Sequence, residues 1–203
     1  MHLSEGVLHP PVLAVGYIIA VIGIAVGLRK IENQKLPLVA LFSATFFVAS
    51  TIHIPVGIGS VHLILNGIAG LFLGWAVFPA FLIGLVLQLL FFSFGGFTVL
   101  GVNLCIMALP AVAIRYLLRR FFTRETTPQQ IKIIGALAGI LGVIGAAAIA
   151  SLTLALDGGK DYIHLIGLLI VSHIPVFIVD SLISVGIVTL VVKMRPSIYD
   201  EIS

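Results

Sequence analysis

Nine residues carry polar chemistry into an otherwise apolar chain: His2, His9, His53, His62, His164, His173, Asn66, Asn103 and Asp180. Hydrophobic residues fill 60% of the 203 positions, charged residues only 9%, and mean hydropathy is +1.25. Polar and ionisable groups are expensive in such surroundings, so each is a candidate for function. His2 is the most unusual. A free N-terminus followed by His offers three nitrogens in one arc: the Met1 amine, the deprotonated His2 amide and an imidazole nitrogen of His2. Two fused chelate rings hold them nearly coplanar, and the fourth corner is open to another imidazole. Square-planar nitrogen coordination is what Ni(II) or Cu(II) prefers. Binding displaces protons, so affinity should fall in acid. The chelate needs Met1 retained and unblocked, and a bulky His at position 2 disfavours its removal. The plain alternative is a frayed terminus.

Two features favour the chelate. Glu5-Gly6 and Pro10-Pro11 make a turn that folds the terminus back toward the chain. The connection from Ile52 to His62 supplies imidazoles at the same end, and its glycines let backbone approach closely. His62 would complete a four-nitrogen site. The plain reading of His62 is a helix-cap histidine bonded to backbone, and of His53 an interfacial histidine. On the functional reading, His53 hydrogen-bonds and orients a ligand imidazole, Ser60 lies in the access loop, and Asn103 hydrogen-bonds the folded-in terminus. His173 is read as capping backbone freed by Pro175. Asp180 either pairs with a cationic group or stays protonated, and its depth makes it a poor direct ligand.

The elements that position these groups must be membrane helices. About 20 mostly apolar residues span a bilayer, and continuous apolar runs cross as helices. The sequence predicts an all-α integral membrane protein with seven segments: Pro11–Leu28, Leu36–Thr51, Ser60–Leu73, Phe78–Phe94, Gly101–Leu118, Ile131–Ala155 and Tyr162–Val192. The third is short, as a tilted or partial helix lining a cavity would be. The seventh is too long for one straight crossing, and His173-Ile174-Pro175 predicts a kink in it. A single domain is expected over residues 1–203, with a capture segment 1–10, a bundle 11–193 and a tail 194–203. Small residues four apart, Gly16/Ala20, Gly23/Gly27 and Gly135/Gly139, serve either packing within the bundle or docking of another membrane subunit.

Charge sets the orientation. Ten of the eleven Lys and Arg residues flank alternate connections, and only Lys160 falls on the other side. By the positive-inside rule this places the N-terminus outside and the C-terminus in the cytoplasm. No Lys or Arg precedes Arg29, so a cleaved secretory signal is not expected and the mature chain should begin at Met1 or His2. A net charge of +3 with scattered cations excludes a nucleic-acid binder. The single cysteine, Cys105, excludes an internal disulfide. No P-loop is present, so ATP hydrolysis by that route is excluded. A membrane enzyme or electron carrier built on His-bound haem or zinc is the rival class. Neither His-Glu-x-x-His nor Cys-x-x-Cys-His occurs.

Met1-His2, Glu5-Gly6 and Gly57-Ile58-Gly59-Ser60-Val61-His62 resemble the NikM/CbiM family, the substrate-binding membrane subunits of energy-coupling-factor transporters for nickel and cobalt. The resemblance continues from Phe94 to Asn103 and from His173 to Asp180, and covers nearly the whole chain. It implies seven helices, with the terminus inserted from outside. It also implies a metal held by Met1, by the amide and side chain of His2, and by His62. The implied partners are a transmembrane coupling subunit, two cytoplasmic ATPases and a small accessory membrane protein, in a prokaryotic cell membrane. The chain departs from the family at Asp180-Ser181, where Glu-Gly is expected. Its opening fits neither the nickel-type nor the cobalt-type start, so both Ni(II) and Co(II) remain as transported substrate. The four-nitrogen square favours Ni(II).

Overall fold

The computed structural model describes residues 2–51, 53–56 and 59–202, with the side chains of residues 53–56, 59–61, 160 and 201 left outside the description. The chain is mainly helical. Its elements are β1 (His2–Leu3), α1 (Pro10–Lys30), α2 (Leu36–Ala49), β2 (His53–Val56), β3 (Gly59–His62), α3 (Asn66–Leu73), α4 (Val77–Phe92), α5 (Leu100–Leu118), α6 (Pro128–Gly158), α7 (Ile163–Ser172), α8 (Ile174–Met194) and α9 (Ile198–Ile202). Five helical stretches are long and apolar enough to cross a membrane: Pro10–Lys30, Asn66–Phe92, Leu100–Phe121, Pro128–Gly158 and Ile163–Met194. Their outward faces carry Leu90, Phe91, Leu156, Leu182 and Met194, which suits a hydrocarbon solvent.

One of the five stretches reverses direction. Asn66 at the start of α3 bonds Met107 of α5, and Arg115, two turns further along α5, bonds Leu71 and Phe72 at the end of α3. So α3 runs with α5. Gly74 then takes φ +56°, a left-handed turn that suits glycine, and the chain passes through Trp75 into α4. Phe81 of α4 stacks on Phe46 near the end of α2, and Phe47 meets Phe91 and Phe92. So α4 runs back along α2. The expected segment Ser60–Leu73 is thus a strand followed by an eight-residue buried helix, and α3 alone, at about 12 Å, is too short to cross.

The strands are the departure from an all-helical reading. They form one antiparallel sheet in the order β1-β3-β2, with His2 opposite Ser60 and Leu3 opposite Gly59. Ile54, Val56 and Val61 are β-branched and favour extended backbone over helix. This small sheet brings the N-terminal residues beside the residues before α3.

Helix ends follow the local chemistry. Thr127 and Gln130 form a reciprocal capping box just ahead of Pro128, so α6 starts there. The long seventh segment breaks at His173, as Pro175 requires. The His173 N–H bonds Ile170 rather than Leu169, and the His173 Nδ1–H donates to the Leu169 carbonyl at 2.6 Å. The imidazole caps the carbonyl that the break leaves behind.

The small-residue stripes pack inside the bundle. A Cβ at Gly16, Gly23 or Gly27 would strike Val102, Phe78 or the Trp75 carbonyl, and one at Gly135 or Gly139 would strike α8. Helix α1 buries only Gly16, Ala20, Gly23 and Gly27, so this stripe is its contact with the bundle, not a free docking face.

Candidate metal centre

The N-terminal segment is stitched in place by its own Glu5 and by three side chains distant in sequence. Asn103 on α5 accepts from the Leu3 N–H at 2.9 Å and donates to the Leu3 carbonyl at 3.0 Å. Glu5 accepts from the Thr98 N–H at 2.9 Å, and the Glu5 N–H reaches the Gly95 carbonyl. Asp157 at the end of α6 accepts from the N–H and Nδ1 of His9, at 2.9 and 3.0 Å. Tyr162 donates to the Val7 carbonyl at 2.7 Å. Gly96, at φ +146°, leaves room for Glu5, since a Cβ there would lie 1.8 Å from the Glu5 side chain.

This stitching brings together two of the three proposed metal ligands. The His2 and His62 rings lie with centroids 4.7 Å apart and planes 29° apart. They are 2% and 3% exposed. Phe94 stacks on His2 at 6.4 Å. Two imidazoles bound at about 2.0 Å on adjacent corners of a square place their centroids roughly 4.5 Å apart. The pair therefore has the spacing of cis ligands on one ion. The His62 Nδ1–H donates to the Leu63 carbonyl at 2.6 Å, so this tautomer carries its lone pair on Nε2, the nitrogen a metal takes. His62 ends β3 and caps no helix, since α3 starts from Leu65 with no side-chain cap, but its bond to backbone leaves Nε2 out of the Leu63 contact and is compatible with the ligand reading.

Among the described residues, no group of three or more His, Cys, Asp or Glu side chains converges on a metal position. A square site would need its other donors from the backbone nitrogens of the terminus, and Met1 lies outside the described residues. His53 pairs in register with His62 across β2 and β3, and Ser60 pairs with His2 and Pro55. Their side chains lie outside the description.

The support for His62 was not legible in the sequence. Asp180, fully buried on α8, accepts from the N–H of Ile64 and of Leu65, both at 3.0 Å. These are the amides that lead from His62 into α3. At the other end of α3, Arg115 donates to the carbonyls of Leu71 and Phe72 at 2.8 and 3.2 Å. A carboxylate at the first turn and a guanidinium at the last satisfy orphan backbone groups and oppose the helix dipole with the right sign at each end. Asn66 ties the same helix to the Met107 and Gly142 carbonyls. A short helix is thereby fixed within a membrane, where unsatisfied backbone is costly. Among the described residues, Asp180 meets these amides and no cation. His173 is fully buried and is an electrostatic neighbour of His62, as is His2. The rarity of acids at the N-terminal end is a signal that should have marked Asp157 and Glu5 as anchors.

Known proteins resemble this chain along nearly its whole length. Residues 2–198 match the family model "Cobalt uptake substrate-specific transmembrane region". The chain is 65% identical over 201 residues to a "Putative metal transport protein" of Haemophilus influenzae, covering 99% of this chain and 98% of the relative. It is 33% identical over 159 residues to the "Fused nickel transport protein NikMN" of Rhodobacter capsulatus, covering 74% of this chain and 46% of that one. It is 28% identical over 210 residues to the "Cobalt transport protein CbiM" of Clostridium tetani, covering 95% and 85%. A crystal structure of a truncated transition metal transporter shares its fold, with a TM-score of 0.75 at 24% identity over 95% of this chain and 97% of that one. With its family match spanning nearly the whole sequence, this chain belongs to the CbiM family of cobalt uptake substrate-specific transmembrane regions, multi-pass membrane proteins of metal transport.

Proposed function

We propose that this chain captures a divalent transition metal, Ni(II) in preference to Co(II), as the substrate-binding subunit of an energy-coupling-factor transporter. The observation that carries the reading is the buried His2–His62 pair at 4.7 Å, held next to the N-terminus. The metal is the cargo. The Met1 amine, the His2 amide and the His2 imidazole supply three nitrogens, and His62 supplies the fourth. Binding displaces the amine and amide protons to solvent, so uptake is favoured at neutral pH and weakened in acid. The rings are neutral ligands screened from water by Phe94. The glycine-bearing segment 95–101 closes over the ion.

The membrane segments are α1, α2, the short α3, α4, α5, α6 and the broken α7–α8, seven in all. Arg29, Lys30, Lys35, Arg115 and Arg119 gather at the end opposite β1, which supports a cytoplasmic C-terminus by the positive-inside rule. ATP is hydrolysed by partner subunits, two cytoplasmic ATPases joined through a transmembrane coupling subunit, and a small accessory membrane protein completes the assembly. Their motion tips the bundle and exposes the site inward. Ni(II) is favoured because a square of four nitrogens suits it, while relatives named for nickel and for cobalt support either metal.

The test is calorimetric titration of Ni(II) and Co(II) into purified protein with an intact terminus, repeated with His2→Ala. The substitution removes the imidazole and leaves the Met1 amine and the amide of residue 2, which close only one chelate ring. Tight binding is expected to disappear, and retained affinity overturns the chelate.

A further inference from the structure

The end of the bundle opposite the histidines holds a second built feature. A cavity of about 540 Å³ opens between the end of α1, the α3–α4 turn and the end of α5. Five cations line it: Arg29, Lys30, Lys35, Arg115 and Arg119. The two acids there, Glu32 and Asp200, are already engaged. Lys35 lies 3.5 Å from Glu32, and Arg124 donates to Asp200 at 2.9 Å. Arg29, Lys30 and Arg119 meet no carboxylate among the described residues. Arg119 instead lies over the Tyr116 ring at 5.1 Å, and the Tyr116 hydroxyl accepts from the Trp75 indole N–H at 3.0 Å. The positive-inside rule accounts for the sign of charge at this end. It does not account for a cleft that turns several cations toward one volume, floored by an arginine one turn inside its helix and walled by two interfacial aromatics.

We propose that this cleft binds the phosphate of an anionic membrane phospholipid. Basic pockets between transmembrane helices take such headgroups. The cations converge at the level where headgroup phosphates lie, and Trp75 and Tyr116 are the residue types that sit at the headgroup level. The occupant enters sideways from the bilayer, with its phosphate among Arg29, Lys30 and Arg119 and its chains along the apolar helix faces. A bound lipid would brace the α3–α4 turn, and through α3 the segment carrying His62. The site is independent of the metal reading, since none of its residues lies near the histidines.

Trp75 is the only tryptophan in the chain, so its emission reports on this cleft alone. Full-length protein in neutral detergent micelles is titrated with phosphatidylglycerol or with phosphatidylcholine. A saturable change is expected with phosphatidylglycerol, and phosphatidylcholine should need at least tenfold more. In a Lys30→Gln/Arg119→Gln double variant the midpoint should rise about 25-fold, taking about fivefold per charge near the surface. Thermal unfolding of the same sample shows that the variant is folded. Equal responses to both lipids, or an unshifted midpoint in the folded variant, overturn the proposal. Glycerophosphate acting at the same concentration would assign the cleft to soluble phosphates and overturn the lipid. A Trp75 change seen only on adding the coupling subunit would assign it to a protein and do the same.

Discussion

Replacing Asn103 with Ala isolates the step that docks the N-terminus. The Asn103 side chain is 2% exposed and makes two hydrogen bonds to the Leu3 backbone, at 2.9 and 3.0 Å. Leu3 is itself buried, so its N–H and carbonyl would lose their partners with no water to replace them. A buried group left unsatisfied costs about 1–3 kcal/mol, so two cost roughly 2–6 kcal/mol. An undocked terminus recovers these bonds in water, so the cost appears as a shift away from the docked state. Apparent affinity falls by the fraction that remains competent. With docking near balance in the wild type, and at tenfold per 1.4 kcal/mol, Ni(II) binding should weaken by roughly 30-fold to 2 × 10⁴-fold. The assay is calorimetry in detergent, with the intact terminus verified by mass spectrometry and folding checked by thermal unfolding. Asn103→Asp keeps an acceptor for the Leu3 N–H but turns a second acceptor toward the Leu3 carbonyl, so it should bind weakly as well. A folded Asn103→Ala protein with Ni(II) affinity within twofold of wild type would refute the reasoning.

Asp180→Ala strips the partner from two buried amides and should cost roughly 2–6 kcal/mol in stability by the same arithmetic, whereas Asp180→Asn keeps an accepting oxygen; thermal unfolding in detergent separates the two. Gly67→Ala should abolish stable expression, because its Cβ would lie 1.7 Å from the Ala138 carbonyl, while Gly186→Ala, with nothing within 4 Å, should be silent in the same expression assay. Arg124 beside Asp200 holds that carboxyl below its usual range. A depressed folded value adds stability above the unfolded pKa and loses it as pH falls through the folded one. Unfolding midpoints of wild type and Asp200→Asn should therefore differ slightly at neutral pH and converge in acid, and since both partners are exposed the difference is small.

The parts of this fold that the sequence makes legible are those with a local signature. Apolar length marks α1, α5 and α6, the Pro175 position marks the break between α7 and α8, and clustered cations mark the basic end. The reversal at Gly74 is harder to read, because Asn66–Phe92 is apolar throughout. The sheet that carries His2 to His62 is harder still. Its strands are two to four residues long, and β1 pairs with a segment nearly 60 residues away. His2 and His62 are legible as candidates because imidazoles are rare in this composition. What holds them is not, because Asn103 reaches Leu3 across 100 residues, Asp180 reaches Ile64 across 116, and Asp157 reaches His9 across 148. A lone Asp or Asn in an apolar run signals a role without naming its partner. For Asp180 the sequence pointed to a cation or a proton; the structure shows backbone amides as its partners and no cation among the described residues.

The most direct test of the metal centre is Ni K-edge X-ray absorption on the loaded full-length protein. Four nitrogen donors at about 2.0 Å, with the edge features of a square plane and two imidazole rings in the outer scattering, are expected. A six-coordinate shell of mixed oxygen and nitrogen, or a spectrum unchanged by His62→Ala, would contradict capture by the N-terminal chelate and His62.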